Sequence, residues 1–175
     1  MPLEHLWATW RSAYVTQAVD SRALPTPGEA AGRSLFERIL AGADEEGDEA
    51  AGVLWRGETC FALVNLYPYT AGHLMVIPKR AVADLEALTA EEQAELWSGV
   101  RDAVVALKAA LRCDAVNVGV NLGAAAGGSQ SDHLHVHCVP RWEGDANFIA
   151  VAADTRVLPL SLEDAAGRIR AAWPA

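Results

Sequence analysis

Residues 133–139 read His-Leu-His-Val-His-Cys-Val. Strict alternation of imidazole and apolar side chains is the period of a β-strand, whose successive side chains leave opposite faces. On such a strand His133, His135 and His137 share one face, while Leu134, Val136 and Cys138 share the other. The segment therefore calls for a sheet with one packed side and one chemical side. Histidine fills 5 of 175 positions, so composition alone would give three in alternation in only about four chains per thousand. A strand is expected over residues 133–140, with same-face imidazoles about 7 Å apart.

The surrounding chain supplies partners for that strand. Residues 51–56 and 59–66 read as a hairpin around Gly57-Glu58, residues 73–78 as an apolar strand, and residues 116–120 as another. Ser34-Leu-Phe-Glu37 has capping-box spacing and predicts a short helix to Leu40, with Gly42 as its stop. Thr89-Ala-Glu-Glu92 opens a longer helix to about Arg112, with Leu96, Trp97, Val100, Val104, Leu107 and Leu111 at helical spacing. Residues 161–173 read as a closing helix, and Asp44 to Glu49 as a solvated acidic turn. Strands joined by hairpins or by a long helical excursion predict an α+β fold with an antiparallel sheet. One domain is expected over 1–175: an arm at 1–33, a core at 34–142 and an extension at 143–175.

Fourteen Lys and Arg against 23 Asp and Glu leave a formal charge of −9. A broad nucleic-acid interface needs a basic face and is not expected. An anionic substrate would have to be met locally by backbone amides, His or a few cations. Cys60, Cys113 and Cys138 are far apart and match no zinc or redox spacing, which suits buried thiols in a reducing compartment. No secretory signal or membrane span is legible, so a cytoplasmic protein is expected.

Three readings compete for the histidine row. Inert surface imidazoles are one. A metal site is a second, but same-face positions on a straight strand span about 14 Å and cannot easily converge on an ion with bonds of about 2 Å. Nucleophilic catalysis by the central imidazole is the third, and the preceding residues favour it. Residues 119–129 read Gly-Val-Asn-Leu-Gly-Ala-Ala-Ala-Gly-Gly-Ser. Glycines allow successive amides to converge on an anion, which would cradle a phosphate beside the nucleophile. No Walker-type or dinucleotide fingerprint is present.

The 133–139 segment resembles the signature of the histidine-triad (HIT) family, in which three histidines alternate with apolar residues. Residues 65–78, Asn-Leu-Tyr-Pro-Tyr-Thr-Ala-Gly-His-Leu-Met-Val-Ile-Pro, are similar to the family's other characteristic stretch, where Asn or Asp precedes a fourth active-site histidine by eight residues. The tail from Val139 to Phe148, Arg156 to Pro159, and Leu6 to Tyr14 resemble the bacterial diadenosine tetraphosphate phosphorylase branch. The resemblance implies a half-barrel antiparallel sheet with a long and a short helix, usually paired as a homodimer. Relatives often carry Cys-x-x-Cys for structural zinc where this chain has Ser34 and Glu37, so no metal and no cofactor are expected.

The resemblance also implies roles. His135 would attack the α-phosphorus of a dinucleoside polyphosphate, its other nitrogen bonded to the His133 carbonyl. His137 and His73 would bind phosphate oxygens and help supply a proton near the leaving group. Gly128, Ser129 and Gln130 would hold non-bridging oxygens. Asn65 would bind the ribose, Leu66 and Leu74 would line the base slot, and Asn121 and Trp142 would complete the substrate set, with Trp142 equally readable as interface packing. Arg141 is a further candidate for the outgoing phosphates. Inorganic phosphate as acceptor would make a phosphorylase, water a hydrolase; a phosphoramidase shares the first step, and a non-catalytic nucleotide or metal sensor is the remaining alternative.

Overall fold

The computed structural model describes residues 33–127, 130–145 and 157–174. The arm before Arg33, Gly128, Ser129 and the tail over 146–156 lie outside the described residues. Five strands, β1 (Val53–Arg56), β2 (Cys60–Val64), β3 (Leu74–Pro78), β4 (Ala115–Val120) and β5 (Val136–Arg141), form one open sheet in the order β1-β2-β3-β5-β4, antiparallel throughout. The helices are α1 (Leu35–Glu46), the single turn α2 (Asp48–Ala51), α3 (Ala90–Leu111) and α4 (Leu162–Ala171). This is the α+β architecture that the sequence predicts.

Both capping boxes form. Ser34 and Thr89 each accept the backbone N–H of the residue three further on, and Glu37 and Glu92 return the bond; a cap of this kind is worth about 1 kcal/mol. α1 does not stop at Gly42. It continues to Glu46 and ends on Gly47, whose φ of 93° suits glycine. The stretch expected to be a solvated acidic turn is thus mostly helical, because Arg56 on β1 binds both Asp44 at 2.6 Å and Asp48 at 2.7 Å. α3 buries Leu96, Val100 and Leu107 as its spacing predicts, with Ala103 and Ala106 between them. Trp97, expected on that face, is instead 43% exposed.

The sheet is covered on both faces, but unequally. On one, Leu74, Val76, Val136 and Cys138 pack beneath α3 and α4. Leu96 and Leu107 are fully buried there, each contributing about 2 kcal/mol of transfer free energy. On the other, Phe61, Leu63, Met75 and Ile77 pack beneath Phe36 and Ala43 of α1. α1 covers only the β1–β3 half. Beyond it, on the face of Met75, stand its register partner His137 and then Gly119, which is exposed. Among the described residues this half of the face is left uncovered, and His137 stands on it.

The expected strand over 133–140 begins late. Only residues 136–141 join the ladder; His133, Leu134 and His135 precede it as a separate segment, pinned by the Leu134 N–H to the Val82 carbonyl at 2.6 Å. Another short connection, residues 65–73, is closed by the Asn65 N–H to the His73 carbonyl at 2.9 Å. Gly72 within it has φ of 82°, and a Cβ there would lie 2.3 Å from Leu111 Cδ1, 3.5 Å from Ile169 Cδ1 and 3.6 Å from Pro140 Cγ. The loop leading to His73 therefore sits in a notch made by the ends of α3, α4 and β5.

Candidate active site

His133 is 1% exposed and spends both ring nitrogens on the fold. Nε2 lies 2.8 Å from the Pro78 carbonyl, which can only accept, so Nε2 carries the proton. Nδ1 then accepts from the Ser34 hydroxyl at 2.6 Å. That hydroxyl also accepts the Glu37 N–H at 3.2 Å, so the cap of α1 and the first histidine of the trio are one network. The Phe36 ring meets His133 edge-on at 5.3 Å and His135 at 5.2 Å. The first turn of α1 thus grips two histidines at once.

His135 donates Nδ1–H to the His133 carbonyl at 2.8 Å. With that nitrogen committed, the lone pair of the neutral ring sits on Nε2. Its ring stands at 81° to His137, with centroids 4.9 Å apart rather than the 7 Å of a straight strand, because His135 precedes the ladder and His137 lies within it.

His73, fully buried, is fixed from the other side. Its Nδ1 receives the Tyr69 backbone N–H at 3.1 Å and faces the Asn65 Nδ2 at 3.3 Å. The Asn65 amide orientation follows from its Oδ1, which accepts the Tyr67 N–H at 3.0 Å. Nδ1 of His73 is therefore an acceptor, Nε2 carries the proton, and Nε2–H donates to Nδ1 of His137 at 3.0 Å. Tyr69 lays its half-exposed ring over His73 at 4.5 Å and His137 at 5.9 Å. Neither Tyr69 nor Ser34 was singled out as a site residue from the sequence. The second Tyr of Tyr-Pro-Tyr and the capping serine were the signals available, and neither spacing alone reports contact with a histidine.

Burial dominates the electrostatics. It holds His133 and His135 below the ordinary histidine range, against the opposing pull of their backbone partners. Burial and then the neighbouring His135 push His137 down to about 4. All three are neutral at pH 7, as a nucleophilic imidazole requires. Burial opposes the Glu37 carboxylate, yet the Ser34 and Ala81 N–H groups outweigh it and lower its pKa. The three cysteines are free and buried, and burial raises Cys60 to about 11 and Cys138 to about 12.

The structure brings together His73, Asn65, His133, His135 and His137. It does not bring Leu74 to them: Leu74 is fully buried beneath α3, on the opposite sheet face from Met75 and His137, because its register partner is Cys138. Trp142 likewise packs against the cluster beneath α3. Leu66 is 68% exposed. Asn121 and Gln130 are half-buried, on either side of the turn at Ala124–Ala126. Gly128 and Ser129 lie outside the described residues. Arg141 is held bidentately by Asp145 at 2.6 and 2.7 Å and reaches Asn117 at 3.0 Å, so its charge is met locally.

The HIT domain model matches residues 46–144. An AP-4-A phosphorylase of Mycobacterium tuberculosis is 42% identical over 172 residues, 98% of this chain and 85% of the relative. The chain belongs to the HIT family. A bis(5'-nucleosyl)-tetraphosphatase (asymmetrical) of Schizosaccharomyces pombe is 38% identical over 93 residues, 53% of this chain and 50% of the relative. Among solved structures, a Zn-bound HIT family protein of Mycobacterium smegmatis superposes with a TM-score of 0.63 at 28% identity, covering 79% of this chain and 91% of that one. Zinc does not fit the Ser34–Glu37–His133 corner here. A hydroxyl and a carboxylate bonded to backbone amides stand there with no thiolate, and both His133 nitrogens are committed. Among the described residues, no group of three or more His, Cys, Asp or Glu could hold a metal ion, and no helix is long and apolar enough to cross a membrane.

Proposed function

We propose that this HIT protein transfers a nucleotidyl group from a dinucleoside polyphosphate, and that its reaction is phosphorolysis of diadenosine tetraphosphate to ATP and ADP. The observation that carries the reading is His135: Nδ1–H bound to the His133 carbonyl, which leaves the lone pair on Nε2, in a ring whose centroid is 4.9 Å from that of His137. Nε2 attacks the α-phosphorus, the phosphoanhydride bond breaks, and ATP departs with the bonding pair. Inorganic phosphate then attacks the nucleotidyl-histidine and gives ADP. Phosphoryl-type transition states are loose, so positioning and charge stabilisation supply most of the acceleration. His137 donates Nε2–H to a phosphate oxygen and His73 orients it. Asn65 contacts the ribose, while Gly128, Ser129 and Gln130 receive non-bridging oxygens. The choice of phosphate over water as acceptor rests on likeness to the M. tuberculosis phosphorylase along nearly the whole chain.

We further infer a cytoplasmic homodimer. Val118 on the edge strand, Leu122 beyond it, and Trp97 and Val105 on α3 are exposed apolar side chains that a second copy would cover. Light scattering of the purified chain tests the dimer. Incubation with diadenosine tetraphosphate, with and without phosphate, tests the reaction. ATP and ADP formed only with phosphate support phosphorolysis; AMP formed regardless of phosphate makes the protein a hydrolase.

A further inference from the structure

We propose that Glu37 and the Arg80–Glu92 pair are positioning residues for the reaction: they hold residues 80–82, and Val82 in turn holds the peptide that keeps the His135 proton on Nδ1. This rests on the reading of His135 as nucleophile and deepens it by naming what leaves the attacking lone pair on Nε2.

The carbonyl of His133 and the N–H of Leu134 belong to one planar peptide unit and point to opposite edges of it. One edge accepts the His135 Nδ1–H at 2.8 Å. The other donates to the Val82 carbonyl at 2.6 Å. Turning that plane moves both bonds together, and an engaged N–H strengthens the carbonyl across from it as an acceptor. A neutral imidazole has one proton for two nitrogens. If the His133 carbonyl swings away, the proton is free to sit on Nε2, which then has no lone pair to give to phosphorus. The placement of Val82 therefore decides which nitrogen of His135 attacks.

Val82 lies in a connection with no ladder of its own: β3 ends at Pro78 and the next helical turn begins at Leu85. Two glutamates hold it, each also the return residue of a capping box. Glu37, at the start of α1, divides its oxygens. Oε2 accepts the Ser34 N–H at 2.9 Å and Oε1 the Ala81 N–H at 3.3 Å. Glu92, at the start of α3, accepts the Thr89 N–H at 2.9 Å and takes the Arg80 guanidinium at 2.9 and 2.7 Å. Arg80 also donates to the Ala87 carbonyl at 3.1 Å. Glu92 is buried, so its pairing with Arg80 is screened less than a surface pair. Two helices on opposite faces of the sheet thus meet at one short stretch of chain, and that stretch is bonded to the peptide that steers the nucleophile.

Steady-state kinetics on the full chain, with diadenosine tetraphosphate at saturating phosphate, compare wild type with Glu37→Gln, Arg80→Gln and Arg80→Lys. A glutamine at 37 has one acceptor oxygen for two N–H groups. A glutamine at 80 loses the two-pronged charge pair; the Arg80 side chain is 52% exposed and lies outside both capping boxes, so its variants spare the helix caps. Misplacing a reacting group by about 1 Å can cost 10²-fold, so each glutamine variant should lower kcat about tenfold with KM within about twofold of wild type. Arg80→Lys, which keeps a charge on Glu92, should lie between wild type and Arg80→Gln. Ser161→Ala removes a cap from α4 and should lower Tm with kcat unchanged. The bond itself is read by ¹H–¹⁵N spectroscopy at pH 7. The His135 Nδ1–H should exchange with water at least about tenfold faster in both glutamine variants, and at the wild-type rate in Ser161→Ala. Unchanged kcat in the glutamine variants, a loss in KM alone, or unchanged exchange overturns the proposal. An equal loss of kcat in Ser161→Ala also overturns it, by making the effect one of helix caps in general. If wild type turns over no substrate and forms no adduct on His135, the nucleophile reading fails instead, and the exchange rates still decide whether these residues hold the proton.

Discussion

His133 and His137 stand at the two ends of one alternating trio, and the fold treats them oppositely. His133 precedes the ladder, is 1% exposed and has both nitrogens tied to Ser34 and Pro78. His137 lies within β5, is half-buried on the uncovered half of the sheet and has only Nδ1 tied, to His73. Between them His135 takes its orientation from the His133 carbonyl and packs its ring at 81° to His137. A motif uniform in sequence is thus split into an anchored end and a more open end, and the dividing line is where α1 stops covering the sheet.

Substituting the middle ring tests the division most severely. His135→Ala should lower kcat by at least about 10⁴-fold with little change in Tm, because Nε2 makes the bond to phosphorus; retained activity in a product assay sinks the account. The ends should then part company. His137→Ala should cost about 10²-fold in kcat, as removal of one aimed donor does, and lower stability by about 1 kcal/mol, since it strands only the Nε2–H of His73. His133→Ala should act chiefly on stability, by about 3 kcal/mol in denaturant unfolding, since it strands a buried hydroxyl and a buried carbonyl. Equal stability losses at 133 and 137 would erase the distinction.

Smaller effects sharpen it. Ser34→Ala should cost about 1–2 kcal/mol as a lost cap and about tenfold in kcat, an estimate taken below the cost of a directly aimed donor, through a looser His133 carbonyl under His135. Ser34→Thr, which keeps the hydroxyl, should recover most of the kcat. The gentlest test is pH. The folded-state pKa values of His133, His135 and His137 lie below the ordinary 6.5, His137 at about 4. Below 6.5 the unfolded chain binds protons that the folded chain refuses. The histidine contribution to stability is therefore full above pH 6.5 and is lost as pH falls towards about 4. Thermal unfolding between those values should show a falling Tm, and the acid limb of kcat/KM should lie below pH 6.5.

Local signals in the chain were read correctly where local forces decide the outcome. Both capping boxes and the long amphipathic helix are set by neighbours within a few residues, and the hairpin around Gly57-Glu58, though its turn also binds the distant Glu95 carboxylate, is announced by its turn residues. The His135 bond to the His133 carbonyl followed from the family resemblance. What escaped the sequence depended on distant partners. Residues 133–135 leave the strand because Ser34, 99 positions away, and the Val82 carbonyl hold them. The acidic run after Gly42 is helical because Arg56 binds Asp44 and Asp48. The resemblance puts Leu74 near the base, but only the β3–β5 register reveals that it lies on the opposite sheet face from His137. Tyr69 joined the site through a backbone N–H, a group identical in nearly every residue and therefore silent in sequence.

Gly72 links the chemistry to the far end of the chain. It is one residue from His73 and is walled by Leu111 of α3 and Ile169 of α4. Removing the chain from Leu162 onward would take away the Ile169 side of that wall, leaving Leu111, without touching a single histidine. The loop would then be braced from one side fewer, the Tyr69 amide would be held less firmly against the ring it steers, and turnover would decline from a cut made far from the site in sequence.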